Sequence, residues 1–215
     1  MTSSEPPPDA VRIAVFAKAP VAGAVKTRLA AILGPDGAAG LHSGLVRRAL
    51  SVAAQARVGP VELWCAPDET HPFFERCARE FGVALERQQG EDLGQRMRHA
   101  FDSSHARGRA LIVIGADCPA LDAAALGSAA AALRTHDAVI APAEDGGYVL
   151  LGLARPVPGL FEAMAWGGSA VMAQTRLRLA QSGASWQELA TFWDVDRPED
   201  YVRLQQSGLL REVLS

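Results

Sequence analysis

The run Ala110-Leu111-Ile112-Val113-Ile114 has no polar position, and it ends abruptly at Gly115-Ala116-Asp117-Cys118-Pro119. A strand apolar on both of its faces must be covered on both, which puts it in the middle of a parallel sheet with helices above and below. Shorter or mixed runs of the same kind occur at Arg12–Phe16, Val61–Cys65, Val83–Arg87, Asp137–Ala141 and Gly147–Leu153. Between them lie segments of helical period, at 25–33, 36–56, 72–81, 93–106, 122–134 and 169–181, and a last one from Pro198. Gly34-Pro35 is expected to separate the first two helices, and Asp196 with Glu199 to form a capping box for the last. The alternation predicts a three-layer α/β/α domain with a mostly parallel sheet. In such sheets ligands bind beyond the carboxyl ends of the strands.

No linker divides the 215 residues, so one domain is expected over residues 11–215, after a disordered tail at residues 1–10. That tail has neither the basic nor the apolar region of a signal peptide. No stretch is long and apolar enough to span a bilayer. Three cysteines without C-x-x-C spacing suggest a reducing compartment, and a cytoplasmic protein is expected. A net charge of −3 argues against general nucleic-acid binding. The charge is also uneven: residues 1–60 carry seven basic and three acidic side chains, and residues 141–215 carry six and nine. A basic half facing an acidic half suits a metal–phosphate site.

The basic half is concentrated in F-A-K-A-P-V-A-G-A-V-K-T-R-L, residues 16–29. Of 21 basic residues only Lys18 and Lys26 are lysines, and both fall here. A compact ammonium binds phosphate as a point charge, and an adjoining helix start adds free N–H groups and a positive dipole end. Lys18, Gly23, Lys26, Thr27 and Arg28 therefore form a candidate cradle for nucleotide phosphates, although a solvated basic turn would use the same letters. The spacing is not that of a P-loop, and no G-x-G-x-x-G, G-x-S-x-G or H-E-x-x-H occurs.

The acidic candidates are three. Asp117, directly after the central strand, can hold a divalent cation bridging phosphate oxygens; as a helix N-cap it is worse placed than Asp122. Asp194 and Asp196 form a D-x-D on an extended segment and point to one side. Glu144-Asp145-Gly146-Gly147 lies between two strands, where Asp145 could orient a hydroxyl or act as a base and Gly146 and Gly147 could let backbone approach a ligand. A plain hairpin turn explains that stretch equally well. Gln88–Arg96 could pack a nucleobase or ribose. His42, His99, His105 and His136 read as ordinary helix or surface residues, and Cys118 as packing.

Five stretches taken together resemble a known family: residues 16–29, G-E-D-L-G-Q-R-M at 90–97, I-G-A-D-C-P-A-L at 114–121, A-P-A-E-D-G-G-Y-V-L-L-G-L at 141–153 and W-D-V-D-R-P-E-D at 193–200, with Trp166 besides. They are similar to those of bacterial GT-A-like transferases described as radical-SAM/selenodomain-associated, often labelled arsenosugar-biosynthesis glycosyltransferases. These are distant relatives of the 2-phospholactate and molybdenum-cofactor guanylyltransferases. The resemblance implies a nucleotide-diphospho-sugar transferase (GT-A) fold. It also implies phosphates held by Lys18, Lys26 and Arg28, a nucleotide touched by Leu93-Gly94, and Mg²⁺ or Mn²⁺ held by Asp117 with Asp194 or Asp196. Arg197 stands where relatives often have threonine.

Three activities compete. The first is a glycosyltransferase using a nucleotide-sugar donor and a small-molecule acceptor, with Asp145 and Lys26 at the reacting centre. The second is a nucleotidyltransferase joining an NTP to a phosphorylated acceptor, favoured by the charge of the first loop. The third is a non-catalytic nucleotide-binding module. The label of the resembling family puts sugar transfer narrowly first.

Overall fold

The computed structural model describes residues 11–214, so the expected tail at 1–10 lies outside the described residues. In chain order the elements are β1 (Arg12–Lys18), α1 (Ala30–Ala56), β2 (Val61–Ala66), α2 (Pro72–Phe81), β3 (Ala84–Arg87), α3 (Leu93–His105) and β4 (Leu111–Gly115). They continue with α4 (Ala123–Ala132), β5 (Ala138–Pro142), β6 (Tyr148–Leu153), α5 (Val171–Ser182), β7 (Trp186–Glu188), α6 (Pro198–Gln206) and α7 (Leu210–Leu214). The seven strands make one sheet in the order β3-β2-β1-β4-β6-β5-β7. Only β6 runs against its neighbours, pairing antiparallel with both β4 and β5. This is the α/β architecture that the apolar runs predict.

Strand alternation divides the core. Ile13, Val15 and Ala17 of β1 face α1, α2 and α4, packing with Val46, Leu50, Phe74 and Leu126. Ala14 and Phe16 face the other way, toward Met97 and Phe101 of α3 and Leu179 of α5. A third cluster joins Leu41 and Leu45 of α1 to Trp193, Val195, Leu204 and Val213, so the C-terminal segment is sealed onto the first helix. Gly44 makes that approach possible: a Cβ there would lie 2.0 Å from the Val213 carbonyl oxygen.

Several local readings change. The helix expected over 25–33 starts only at Ala30, because Lys26 takes a left-handed conformation (φ 47) and residues 22–29 form turns. Gly34 (φ 71, ψ 164) is non-helical and interrupts α1 ahead of Pro35, so the span Ala30–Ala56 holds two helical stretches that Gly34-Pro35 separates as expected. The capping box is displaced by one residue: Arg197 is the N-cap of α6, and Asp200 Oδ2 accepts from Arg197 N at 2.7 Å. Neither Asp196 nor Glu199 caps the helix. β7, only three residues of Trp-Gln-Glu, gave no apolar signal and is held by parallel pairing to β5.

Candidate active site

The carboxyl ends of β1, β2, β3, β4 and β5 share one edge of the sheet, and the candidate residues gather there. Lys18 ends β1 with its side chain exposed, and the chain turns at Ala19, whose N–H donates to Ala66 O at 2.8 Å. Gly23 (φ 78) sits at the open tip of the loop, with nothing within 4 Å of a would-be Cβ. Thr27 and Arg28 are exposed. Lys26 points inward: its side chain is 3% exposed, its Nζ lies 2.7 Å from Asp117 Oδ1, and it donates to Val195 O at 2.6 Å. The two lysines thus do different things, one facing solvent and the other joining the loop to the acidic segments.

Asp117 follows β4 as expected and is no helix cap, since Asp122 Oδ1 accepts from Ala125 N at 2.8 Å and caps α4. Burial opposes ionisation of Asp117, but the Lys26 ammonium and the His42 ring outweigh it and hold the carboxyl well below the usual carboxylate range. Asp117 O accepts from Val195 N at 2.9 Å, which lays residues 193–196 alongside the β4 turn. Within that segment Trp193 and Val195 are buried, so Asp194 and Asp196 share the outward side. Asp194 is pushed up to about 6, first by burial, then by the neighbouring charges of Asp145 and Asp117. Asp196 pairs with Arg28.

Glu144–Gly147 is the turn of the β5–β6 hairpin, closed by Ala143 N donating to Gly147 O at 3.0 Å. Asp145 Oδ1 accepts from Gly147 N at 2.8 Å. The hairpin and the site are therefore the same object, since the turn carries Asp145 to the electrostatic neighbourhood of Asp194. Gly146 (φ 92) is pressed against Ser169, where a Cβ would come within 2.2 Å of the carbonyl oxygen.

The carboxylates suit a hard divalent cation. Asp194 feels the like charges of Asp145 and Asp117, a crowding that a cation held by Asp117 with Asp194 or Asp196 would relieve. Among the described residues no three acidic, histidine or cysteine side chains close into a cage of their own.

On the β2–β3 side, a cavity of about 500 Å³ is lined by Ala66, Pro67, Arg87, Gln88, Gly90 and Arg96. Leu93, at the start of α3, is 45% exposed. Gly94 is buried under Trp166, whose ring a Cβ would approach within 2.6 Å.

Three residues of this region escaped the sequence reading. His42, buried in α1, has Nε2 3.0 Å from Lys18 O and Nδ1 3.7 Å from Asp117 Oδ1, so it touches both halves of the site. Arg48 donates to Pro119 O at 2.7 Å and fixes the turn after Asp117. Arg203 donates to both Glu144 oxygens, at 2.7 and 3.0 Å, with its guanidinium 4.5 Å from the Trp193 ring centre. It ties the Asp145 turn to the Asp194 segment. An i, i+4 helical pattern marks these three only as polar positions, and no sequence signal distinguishes them.

Comparison with known proteins agrees with this fold. The profile of a family described as "uncharacterized protein conserved in bacteria (DUF2064)" matches residues 49–168. The chain belongs to the DUF2064 family. A phosphoenolpyruvate guanylyltransferase of Rubrobacter xylanophilus is 32% identical over 205 residues, covering 91% of this chain and 96% of the relative. The crystal structure of a protein from Desulfovibrio desulfuricans, described as a nucleotide-diphospho-sugar transferase, superposes with a TM-score of 0.81 at 26% identity. It covers 95% of this chain and 98% of its own. A Mycobacterium tuberculosis protein solved with manganese shares the fold, with a TM-score of 0.53 at 21% identity over 92% of this chain and 99% of its own. The DUF2064 chain thus has the nucleotide-diphospho-sugar transferase fold, and the relatives named for an activity are transferases. Among its described residues no helix is long and apolar enough to cross a membrane.

Proposed function

We propose that this chain is a metal-dependent nucleotidyltransferase that joins an NTP to a small phosphorylated acceptor and releases pyrophosphate. The observation that carries the proposal is the meeting, at one sheet edge, of an exposed Lys18 and Arg28 with the crowded carboxylates Asp117, Asp145 and Asp194. A strongly charged triphosphate needs cations from the protein on one side and a carboxylate-held metal on the other. The near-full-length likeness to a guanylyltransferase supports the same reaction and moves it ahead of sugar transfer.

In this reading an acceptor phosphate oxygen attacks the α-phosphorus as the bond to the β-phosphate bridging oxygen breaks. Mg²⁺ or Mn²⁺ on Asp117, with Asp194 or Asp196, would supply charge neutralisation at the phosphates. Lys18 binds the triphosphate tail from solvent. Lys26 orients Asp117 and the 193–196 segment, and Arg28 with Asp196 closes the loop over them. Asp145 orients the acceptor from the hairpin turn, and Gly146 and Gly147 let that turn sit close to it. Leu93 and Gly94 border the nucleoside. Cytoplasmic location and a single domain accord with this role.

A second reading, sugar transfer from a nucleotide-sugar, is favoured by the 0.81 likeness to a protein described as a nucleotide-diphospho-sugar transferase and by the resemblance to arsenosugar-type glycosyltransferases. Both are tested by incubating the protein with Mg²⁺, phosphorylated three-carbon acids and each NTP, and measuring pyrophosphate release. Parallel reactions with nucleotide-sugars measure nucleoside diphosphate release. Acceptor-dependent pyrophosphate release is the expected result. Nucleoside diphosphate release alone would overturn it in favour of sugar transfer, and nucleotide binding without turnover would leave only a binding module.

A further inference from the structure

His42 stands on α1 and is 5% exposed. Its Nε2 lies 3.0 Å from Lys18 O. A carbonyl oxygen only accepts, so Nε2 carries a hydrogen and donates it. β1 pairs with β4 only as far as Phe16 and Gly115, and past that point His42 supplies the donor that the Lys18 carbonyl needs. The other ring nitrogen faces Asp117. Nδ1 lies 3.7 Å from Asp117 Oδ1, and solvent reaches neither atom. Lys26 Nζ closes on the same oxygen at 2.7 Å.

Asp117 is therefore presented asymmetrically. Its side chain is 47% exposed although Oδ1 is shut away, so that exposure belongs chiefly to Oδ2. The terminal torsion of an aspartate is broad and two-fold, and which oxygen it offers a ligand is decided by what holds the other. Lys26 reaches Oδ1 from a loop of turns, whereas His42 reaches it from a helix whose Leu41 and Leu45 pack onto Trp193 and Val195. Completing the Lys18 carbonyl takes one donor, which a glutamine also has. The imidazole adds a rigid ring of fixed width, and its two nitrogens meet the end of β1 and the turn after β4.

We propose that His42 is a positioning residue: its ring sets the separation between the Lys18 end of β1 and Asp117, and turns Asp117 Oδ2 toward the ligand. The inference rests on the polyphosphate-and-metal reading above and adds the residue that aligns its two halves. A partner that orients a metal-binding side chain acts through that side chain, and its loss weakens metal affinity by about 10- to 100-fold. The two ring contacts are separable. His42→Gln keeps a donor near the position of Nε2 and removes the group beside Asp117. His42→Asn keeps a polar atom near the position of Nδ1 and lacks the reach to Lys18 O.

The test is calorimetric titration of the full chain with inorganic tripolyphosphate, alone and with Mg²⁺, for wild type, His42→Gln and His42→Asn. In wild type Mg²⁺ is expected to tighten tripolyphosphate. His42→Gln should bind metal-free tripolyphosphate within about 2-fold of wild type and lose about 10-fold of the tightening by Mg²⁺. His42→Asn should keep that tightening and lose about 5-fold in metal-free binding, the worth of one neutral hydrogen bond. A histidine that only fills the core gives no such split. Parallel losses in the two variants, or wild-type binding in both, overturn the inference, as does wild-type binding that Mg²⁺ does not tighten. Should neither variant fold, the nitrogen resonances of the five imidazoles in wild type decide. His42 Nδ1 is expected to shift when Mg²⁺ is added to the tripolyphosphate complex, and an Nδ1 that stays in place overturns the inference. If wild type binds tripolyphosphate neither with nor without Mg²⁺, the functional reading itself falls, and this inference with it.

Discussion

The Lys26 ammonium lies 2.7 Å from Asp117 Oδ1 and 2.6 Å from Val195 O. One buried cation thereby joins three segments far apart in sequence: the loop after β1, the turn after β4 and the extended stretch before α6. Lys26 adopts φ 47 in doing so, a conformation that an ordinary side chain takes only when its contacts hold it there. In the proposed reading the two lysines divide the work that the sequence assigns to both: the exposed Lys18 meets the ligand, and the buried Lys26 joins the segments around Asp117.

Substitutions should separate these roles. Lys26→Ala removes a buried charge and two polar contacts, and is expected to cost about 1–3 kcal/mol after discounting for the half-exposed Asp117. Lys18→Ala is expected to change stability by less than about 0.5 kcal/mol, yet to weaken triphosphates more than monophosphates. Urea unfolding with nucleotide titrations measures both. A neutral Lys26→Ala, or equal loss for all phosphate numbers in Lys18→Ala, would contradict the division.

Asp117→Asn should abolish metal-dependent nucleotide binding. It should also destabilise the protein by about 1–2 kcal/mol, because Lys26 loses its counter-charge while remaining buried. The sequence alone, which shows no partner for Asp117, suggests almost no such loss. Calorimetry with and without Mg²⁺, together with an unfolding curve, checks the two effects. Unchanged metal-dependent binding would remove Asp117 from the site.

What was legible in the sequence was what neighbours in the chain decide. The Ala110–Ile114 run announces a strand covered on both faces, and an aspartate ending it must lie at the ligand-binding edge. The functions of His42, Arg48 and Arg203 depend on partners 24, 71 and 59 residues away, which only the folded sheet brings near. The first helix starts later than its periodicity predicts for a related reason. Val25–Leu29 has helical periodicity, but the long-range hold on Lys26 forces its backbone out of the helix. Asp196 has the right spacing for a cap, yet Arg28 takes its carboxylate and Asp200 does the capping.

Arg203 provides a test of how closely the acidic segments must be aligned. Its two hydrogen bonds to Glu144 and its position over Trp193 connect the hairpin turn to the Asp194 segment, but the pair is about half exposed. Arg203→Met should therefore change stability by less than about 1 kcal/mol. Turnover should fall severalfold, with Arg203→Lys recovering only part because a lysine cannot bond both oxygens of Glu144 in one plane. Steady-state kinetics of the two variants would show it, and full activity in Arg203→Met would mean that the turn holds itself.

Asp137, at the opposite end of the sheet, sets an acid limit on the fold. Its carboxylate accepts from Arg155, from Ser185 N at 2.8 Å and from Ser185 Oγ at 3.0 Å. The Arg155 hydrogen bond, followed by those from Ser185, holds it well below the usual carboxylate range. A carboxyl with a lowered folded-state pKa stabilises the protein above its unfolded pKa of about 3.9. That contribution is lost as pH falls below this value toward the folded pKa. Asp137→Asn should accordingly be less stable than wild type at pH 7, by less than about 1 kcal/mol because the side chain is partly solvated. The gap should close as pH is lowered through 3.9 and below. Urea midpoints at pH 7 and pH 3 measure it, and a gap that widens in acid would reverse the assigned sign.

Two glycines with positive φ should respond differently to alanine. At Gly23 (φ 78) a Cβ meets nothing within 4 Å, so the substitution adds only left-handed strain, about 1 kcal/mol. At Gly146 (φ 92) the same Cβ would lie 2.2 Å from Ser169 O and 2.7 Å from Ser169 Cα, both backbone atoms that cannot swing aside. Gly146→Ala should therefore cost at least ~2 kcal/mol, strain and overpacking together. It should also push the start of α5 away from the Asp145 turn, because Met172 N donates to Gly146 O at 2.9 Å. Acceptor KM should rise in Gly146→Ala while NTP binding, on the far side of Asp117, is preserved. Gly23→Ala should do the reverse, since its loop faces the phosphates. Equal effects of both variants on both substrates would show that the edge of the sheet moves as one body and does not divide into a nucleotide half and an acceptor half.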